Sequence, residues 1–389
     1  MKKKIIILYD FLKELGGLER VMFFQANKLK DKHDVELCFS HISKEKSREI
    51  VRELNLDRKV KISSPSGADN EVFQLLSSFL FPSRTRNKKS DLTISHSFMC
   101  SRMAWKNKKL FGTPYVIIIN HPPNFLYSAN LKWANNLPRF CAYSLGLFAG
   151  PLIRKIDKKV VQKADVVTAN SKYTAERVRK IYGVEPVVLY PVLTNEFKII
   201  SKVKAREHLE KLGVKNKFIL LHGRMIKDKR PDLAVRAFHL LSKKSDVELV
   251  ISGTIEEKKK ILELIQSFKI DEKVKILGKV SKEELVALYN SAECFLMSAP
   301  KEDFGLTPIE AMACGCPVVA WDDGAGPSET VNNGETGLLA KPYSVNDYAE
   351  KILSVLDKDW NKKSITKSVE KYSEKEIKKE LDKIVEKLI

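Results

Sequence analysis

Apolar runs of strand length alternate with stretches of helical periodicity from residue 4 onward, and the alternation stops near residue 190 and then starts again. This order constrains the fold most. Parallel strands cannot be joined by a hairpin and need a crossover, so alternating strands and helices imply a parallel sheet covered on both faces. Strands are expected at 4–9, 35–39, 60–62, 92–95, 115–120, 166–169 and 187–189. Helices are expected at 18–29 and 173–182, the latter stopped by Gly183. The second series places strands at 218–222, 247–252, 274–277, 294–297 and 317–320, with helices at 231–241, 256–268, 282–289 and 308–313. Ser281 and Glu284 form a capping box at one of these helix starts.

Between the two series, 190–204 is weakly periodic and contains Pro191 and Asn195. The expected division is therefore a Rossmann-like N-terminal domain over 1–195 and a second Rossmann-like domain over 196–363. Residues 364–389 are rich in lysine and glutamate, with Ile377, Leu381, Ile384 and Leu388 at helical spacing. They read as a terminal helix that either crosses back onto the first domain or lies solvated. A length of 389 residues suits two α/β domains of this kind.

Charge separates the halves more clearly than total composition does. Residues 1–190 hold 34 Lys+Arg against 17 Asp+Glu, or +17, leaving 69−34=35 against 49−17=32, or +3, for the rest. A one-sided basic excess suits an anionic partner such as a membrane surface, a phosphorylated substrate or nucleic acid, and equally a solvated basic face. No aromatic-basic recognition motif accompanies it, which argues against nucleic acid. The longest weakly polar run, 140–153, has fourteen residues, short of the roughly 20 that a spanning helix needs. Lys2 to Lys4 are followed by only five apolar residues before Asp10, which reads as a first strand rather than a signal segment. The expected location is the cytoplasm, with peripheral membrane contact as an option. Cys38, Cys100, Cys141, Cys294, Cys314 and Cys316 lack metal-knuckle spacing, so reduced thiols and no structural metal are expected.

Five places in the chain carry candidate chemistry. Gly16 and Gly17 lie at a strand-to-helix turn, where backbone amides can approach a phosphate, although a plain turn reads the same way. Strand 218–222 runs into Arg224, Lys227, Lys229 and Arg230 ahead of Pro231, which places cations where open α/β sheets bind ligands. Residues 301–317 contain Glu302 and Glu310. Thr307 is expected as an N-cap, Pro308 at the first helical position and Gly315 as terminator, and Glu310 also fits a capping box with Thr307. His121 ends an apolar strand and is stiffened by Pro122 and Pro123. Asp10 ends the first strand as either a cap or a site carboxylate.

Taken together, Gly16-Gly17-Leu18-Glu19-Arg20, the Arg224 and Lys229 pair, and Glu302 seven residues before Glu310 resemble glycosyltransferase family 4, over about residues 4–339. Asn120-His121-Pro122-Pro123, Ile156-Asp157, the stretch 164–171 and the stretch 324–330 resemble its mannosyltransferase-type branch acting on lipid-linked glycans. The sequence departs from that branch in 189–193 and at Pro122.

The resemblance implies a GT-B fold, two Rossmann-like doubly wound domains with an interdomain cleft, and retention at the anomeric carbon. It implies that Arg224 and Lys229 hold a diphosphate, Glu310 the ribose, and Glu302 with the backbone of Phe304, Gly305, Leu306 and Thr307 the donor sugar. Gly16 and Gly17 would approach the phosphates, His121 would touch the sugar near the reacting carbon, and Val280 would border the base. Asp10 and His96 fall on the acceptor side. His121, Glu302, Arg224 and Lys229 are the expected catalytic set. No cofactor or metal is expected, because cations and helix amides can stabilise the leaving diphosphate and Asp322-Asp323 is not a spaced acidic pair. The expected partners are a nucleoside diphosphate sugar, GDP-mannose before UDP-sugars, and a glycan or lipid-linked acceptor. The rivals are a sugar-nucleotide epimerase on the same fold and, more remotely, a basic nucleic-acid-binding protein.

Overall fold

The computed structural model describes residues 2–11, 16–41, 56–57, 59–63, 89–96, 98–127 and 137–389, with 137–149 described by backbone alone. The chain divides into two compact units. Unit 1 comprises Met1–Val192 and Ile377–Ile389, and unit 2 comprises Leu193–Glu376.

Unit 1 is built on β1 (Lys4–Phe11), β2 (Asp34–His41), β3 (Lys61–Ser63), β4 (Leu92–Ser95), β5 (Tyr115–Ile119), β6 (Val166–Ala169) and β7 (Val187–Val188). Their order is β3-β2-β1-β4-β5-β6-β7, and every pairing is parallel. Successive side chains of a strand point to opposite faces, and β1 shows both faces buried. Ile5, Ile7 and Tyr9 join one apolar cluster with Met22, Phe23 and Ala26 of the helix Gly17–Leu29. Ile6 and Leu8 join another with Met103 and Ala104 of the helix Phe98–Phe111 and Val178 of the helix Lys172–Tyr182. Ser171 caps the latter helix by accepting from the Thr174 amide at 3.0 Å, and Gly183 ends it at φ 68°.

Unit 2 repeats the plan with β8 (Phe218–His222), β9 (Glu248–Ser252), β10 (Val274–Gly278), β11 (Phe295–Leu296), β12 (Val318–Trp321) and β13 (Gly337–Ala340). The order is β10-β9-β8-β11-β12-β13, again wholly parallel. Ile219 and Leu221 of β8 pack with Leu233, Ala234, Ala237 and Phe238 of the helix Pro231–Leu241 and with Tyr348 and Ile352 of the helix Val345–Leu356. The capping box of Ser281 and Glu284 is present, with bonds of 3.1 and 2.7 Å.

Both sheets reverse direction of growth once, between β1 and β4 and between β8 and β11. At such a switch point the loops leaving adjacent strands diverge to opposite faces and leave a crevice at the strands' C-terminal ends.

The structure adds elements that periodicity did not reveal. They include β13 and the helices Phe98–Phe111, Lys202–Lys211 and Val345–Leu356. The expected single terminal helix is three pieces: the helix Lys362–Ser368, a 3-10 turn Glu370–Tyr372 and the helix Glu374–Glu386. Tertiary contacts at Tyr372 explain the break. Its ring meets Phe304 edge-on with centroids 5.4 Å apart, and its carbonyl accepts from the Leu193 amide at 2.8 Å. The last helix then sinks Ile377, Leu381, Ile384 and Val385 into the unit 1 cluster that holds Ile5 and Leu37. Lys32 also meets Asp382 and Glu386, each at 3.2 Å.

Leu381 is 1% exposed in that cluster. Leu381→Ala should lower unit 1 stability by about 2–5 kcal/mol, whereas exposed Lys383→Ala should change it by less than about 0.5 kcal/mol. Hydrogen-exchange protection of the β1 amides reads both; equal effects would mean that the helix does not close this core.

Candidate active site

The unit 2 switch point gathers the cationic loop after β8 and the acidic loop after β11. Gly223 leaves β8 at φ 139°, and a Cβ at Gly253 would lie 2.1 Å from the Gly223 carbonyl oxygen, so these loops approach as closely as glycine permits. The chain then makes a 3-10 turn over Lys227–Lys229, passes through left-handed Arg230 at φ 48° and enters a helix at Pro231. Of the four cations, Arg230 is engaged locally, its guanidinium forking onto Asp232 at 2.8 and 2.9 Å. Arg224 and Lys227 are exposed.

Lys229 points the other way, and its ammonium forms an ion pair with the Glu302 carboxylate. The backbone behind it is tied down as well. The Lys229 carbonyl accepts from Ser298 Oγ at 3.1 Å, and the Ser298 carbonyl accepts from Trp321 Nε1 at 2.9 Å.

The loop carrying Glu302 is held from its far side. Lys301 is left-handed at φ 48°, and its amide donates to Asp323 Oδ2 at 2.8 Å. The Gly326 amide donates to the Glu302 carbonyl at 2.8 Å. A Cβ at Gly326 would sit 2.3 Å from Phe304 Cα, so only glycine allows this approach.

The helix that follows is Leu306–Ala313, and its N-cap is Gly305 at φ 84°, not Thr307 as the sequence suggested. Glycine's access to positive φ lets the chain turn into the helix two residues earlier, which puts Pro308 at the third helical position. The capping box expected between Thr307 and Glu310 is therefore absent. Glu310 is instead buried, with its carboxylate 3.5 Å from the Tyr289 hydroxyl. Phe304 and Gly305 are buried, while Leu306 and Thr307 are half-buried. Gly315 ends the helix at φ 77°. Val280 follows edge strand β10, two strands from the switch point, and is not among the contacts of Lys229 or Glu302.

In unit 1 the switch point holds a cavity of about 310 Å³, at the lower end of the usual range for ligand pockets. It is lined from the ends of β1 (Tyr9, Asp10), β4 (His96) and β5 (Ile119 to His121). Asp10 acts as a cap, since its carboxylate accepts from the Met99 and Cys100 amides at 3.2 and 2.8 Å in the first turn of Phe98–Phe111. His96 is buried, with Nε2 2.7 Å from Gln25 Oε1, and burial lowers its pKa to about 3. His121 is exposed.

The glycine turn differs from the expected phosphate cradle. The Gly16 amide already donates to Glu19 Oε2 at 2.9 Å, because Glu19, at the third helical position, reaches back to it. The other Glu19 oxygen accepts from the Tyr9 hydroxyl at 2.7 Å. Gly17 is the first residue of that helix, and Glu14 and Leu15, just before the glycines, lie outside the described residues.

Asp157 also lines the cavity, and periodicity had not singled it out as a site residue. Its carboxylate is 3% exposed and accepts from the Tyr127 and Tyr182 hydroxyls at 2.6 and 2.9 Å. Burial pushes its pKa up to about 6, against the opposing pull of those hydrogen bonds. The available signal was its place on the same helical stripe as buried Val160 and Val161, where an acid needs partners.

Comparison with known proteins agrees with this architecture. Residues 15–193 match the model for Glycosyltransferase Family 4, and residues 204–379 match that for Glycosyl transferases group 1. The chain belongs to the family 4 glycosyltransferases. It is 27% identical over 278 residues to a D-inositol 3-phosphate glycosyltransferase of Mycobacterium sp. (strain KMS), a match covering 69% of this chain and 59% of that protein. Against the D-inositol 3-phosphate glycosyltransferase 2 of Catenulispora acidiphila it is 28% identical over 282 residues, covering 69% and 62%. The chain thus spans about three-fifths of the length of these curated relatives. Among solved structures, Anabaena HepE in complex with UDP superposes with a TM-score of 0.77 at 18% identity, covering 100% of each chain. Sucrose-phosphate synthase of Thermosynechococcus elongatus gives 0.78 at 16%, covering 100% and 99%. These likenesses show the fold, two Rossmann-like units of the GT-B class.

The raised pKa of Asp157 has a stability consequence. The folded protein holds this proton more tightly than the unfolded chain, so the contribution is complete below about pH 3.8 and is lost as pH rises through about 6. Asp157→Asn keeps an acceptor for both tyrosines without the charge. The stability of the variant relative to the natural protein should therefore rise by about 2.4 kcal/mol between pH 4 and pH 7. Unfolding measured across that range checks this; a difference independent of pH would show that the carboxyl titrates normally.

Proposed function

We propose that this protein is a retaining glycosyltransferase that moves a hexose from a nucleoside diphosphate sugar to a glycan or lipid-linked acceptor, with unit 2 holding the donor and unit 1 the acceptor. The observation that carries the reading is the Lys229–Glu302 ion pair at the unit 2 switch point, beside the start of the helix Leu306–Ala313. A diphosphate placed there meets the Lys229 ammonium, the Arg224 guanidinium and the first amides of that helix, which favour negative charge. Glu302 then shares Lys229 with the diphosphate and accepts from the sugar hydroxyls, and Glu310 reaches the ribose.

In the transfer, the bond from the anomeric carbon to the phosphate oxygen breaks and its electron pair leaves with the diphosphate. The acceptor oxygen bonds to the same face of that carbon, and its proton passes to the departing phosphate. The residues contribute by neutralising the leaving group, the largest charge that develops. Resemblance favours mannose carried by GDP; HepE, a structural neighbour, binds UDP, which keeps UDP-sugars as the second donor.

The same reading includes a peripheral contact with an anionic membrane in the cytoplasm. Its support is the cationic surface of the helix Phe98–Phe111 and the end of the helix Leu137–Gln162. Lys109, Lys155, Lys158, Lys159 and Lys163 are exposed there beside exposed Leu110, Phe111 and Leu152. Lys109 and Lys159 both lie over Trp105, which joins the two helices into one face. Residues 131–136, including Trp133, lie outside the described residues, and the side chains of Phe140, Tyr143 and Phe148 are likewise not described.

A thermal-shift panel of GDP, UDP and ADP with their sugar conjugates should give a selective rise for one base. Lys229→Ala should lower that nucleotide's affinity and cut transfer about 10²–10³-fold. Glu302→Gln should leave nucleotide affinity unchanged or tighter while still depressing transfer. No shift with any nucleotide would overturn the donor assignment. For the membrane contact, co-sedimentation with anionic vesicles should be lost when Lys109, Lys155 and Lys159 are changed to Glu; no binding by the natural protein would end that part of the reading.

A further inference from the structure

Asp323 stands in the middle of three neighbouring loops. Strands β11, β12 and β13 are adjacent and parallel in the unit 2 sheet, so the loops carrying Lys301, Asp323 and Tyr343 leave the same edge side by side. One carboxylate oxygen serves both neighbours: Asp323 Oδ2 accepts from the Lys301 amide at 2.8 Å and from the Tyr343 hydroxyl at 3.0 Å. Oδ1 accepts from the Ala325 amide at 3.1 Å within its own loop. The Asp323 carbonyl accepts from the Lys301 ammonium.

The two residues that Oδ2 holds share an uncommon backbone. Lys301 and Tyr343 have φ of 48° and 62°, two of the four non-glycine residues with positive φ among the described residues. A side chain with a Cβ keeps that conformation where surrounding contacts over-determine it. Tyr343 is 40% exposed, so burial supplies little of that restraint. Its ring leans edge-on against Trp321, with centroids 5.8 Å apart, and its hydroxyl reaches Asp323.

Glu302 lies between two points that this carboxylate fixes. On one side is the Lys301 amide, bound to Oδ2. On the other, the Glu302 carbonyl accepts from the Gly326 amide at 2.8 Å, one residue beyond the Ala325 amide bound to Oδ1. The side chain emerging from this clamped stretch meets Lys229. Asp323 is half-buried there, whereas Asp322 beside it in sequence is exposed.

We propose that Asp323 is a positioning residue for the donor's sugar: it sets Glu302 in place and thereby governs how the protein distinguishes a nucleoside diphosphate sugar from the bare diphosphate. The inference rests on the donor assignment to unit 2 and deepens it. Diphosphate affinity draws on Arg224 and Lys229, in the loop after β8. The sugar contacts draw on Glu302, in the loop that Asp323 holds, and a displacement of about 0.5 Å is enough to spoil such contacts.

Titration calorimetry on the natural chain would measure GDP against GDP-mannose and UDP against UDP-glucose, and the pair that binds is carried into the variants. Asp323→Asn should leave diphosphate affinity within about twofold and weaken the sugar conjugate about tenfold, the size of a lost hydrogen bond to a charged group. Tyr343→Phe, at an exposed residue outside the core, should weaken the conjugate alone by about two- to fivefold. Asp322→Asn, an equal change of charge one residue away, should leave both affinities within about twofold. In the Asp323→Asn, Glu302→Gln double variant the conjugate should bind no more weakly than in Glu302→Gln alone, because Asp323 acts through Glu302. Equal losses for both ligands, no loss in either the Asp323 or the Tyr343 variant, or additive losses in the double variant would overturn the positioning role and leave the donor assignment standing. If Glu302→Gln itself costs no conjugate affinity, the role of Glu302 at the sugar falls and this proposal falls with it.

Discussion

Parallel pairing governs this molecule. When every strand of a sheet points the same way, all C-terminal ends lie along one edge, and every crossover must begin there. A crevice then opens where the strand order reverses. This chain builds two such sheets, with reversals at β1/β4 and β8/β11, and both sets of candidate site residues leave the strands that flank those reversals. Their positions follow from topology before any side-chain chemistry is considered.

What differs between the two crevices is the charge delivered to them. At β8/β11 a cationic loop and an acidic loop meet through Lys229 and Glu302, and a second layer holds each in place. Ser298 and Trp321 secure the backbone at Lys229, and Asp323 and Gly326 secure the loop at Glu302. Side chains fixed by their neighbours need little reorganisation when a ligand's charge appears beside them. At β1/β4 the buried groups are Asp157, which accepts from Tyr127 and Tyr182, and His96, which meets Gln25.

The alternation of strands and helices was legible because parallel strands buried on both faces read as short apolar runs, as in 115–119 and 218–221. Pro231, Gly183 and Gly315 marked helix ends through backbone geometry that only those residues adopt cheaply. The start of the helix at 306 was misread because Thr307-Pro308 is a strong local signal, yet positive φ at Gly305 permits an earlier turn. Gly16 and Gly17 suggested an open cradle because spacing does not show that Glu19 folds back onto the amide. Asp157 entered the sequence reading only through the resemblance, and its place in the cavity was not legible for a related reason: its partners, Tyr127 and Tyr182, are 30 and 25 residues away, and no local pattern reports a contact of that range. The break at Tyr372 likewise reflects tertiary packing against Phe304.

The helix Glu374–Glu386 has a consequence for biogenesis. Its apolar stripe completes a hydrophobic cluster whose other members begin at Ile5, so unit 1, whose strands precede unit 2 in the chain, is finished only after unit 2 has been made. Until the far end of the chain is made, one face of that early sheet lacks part of its cover. During vectorial synthesis the nascent chain must therefore keep an incompletely sealed surface from self-association, a task that falls to chaperones or to speed of translation.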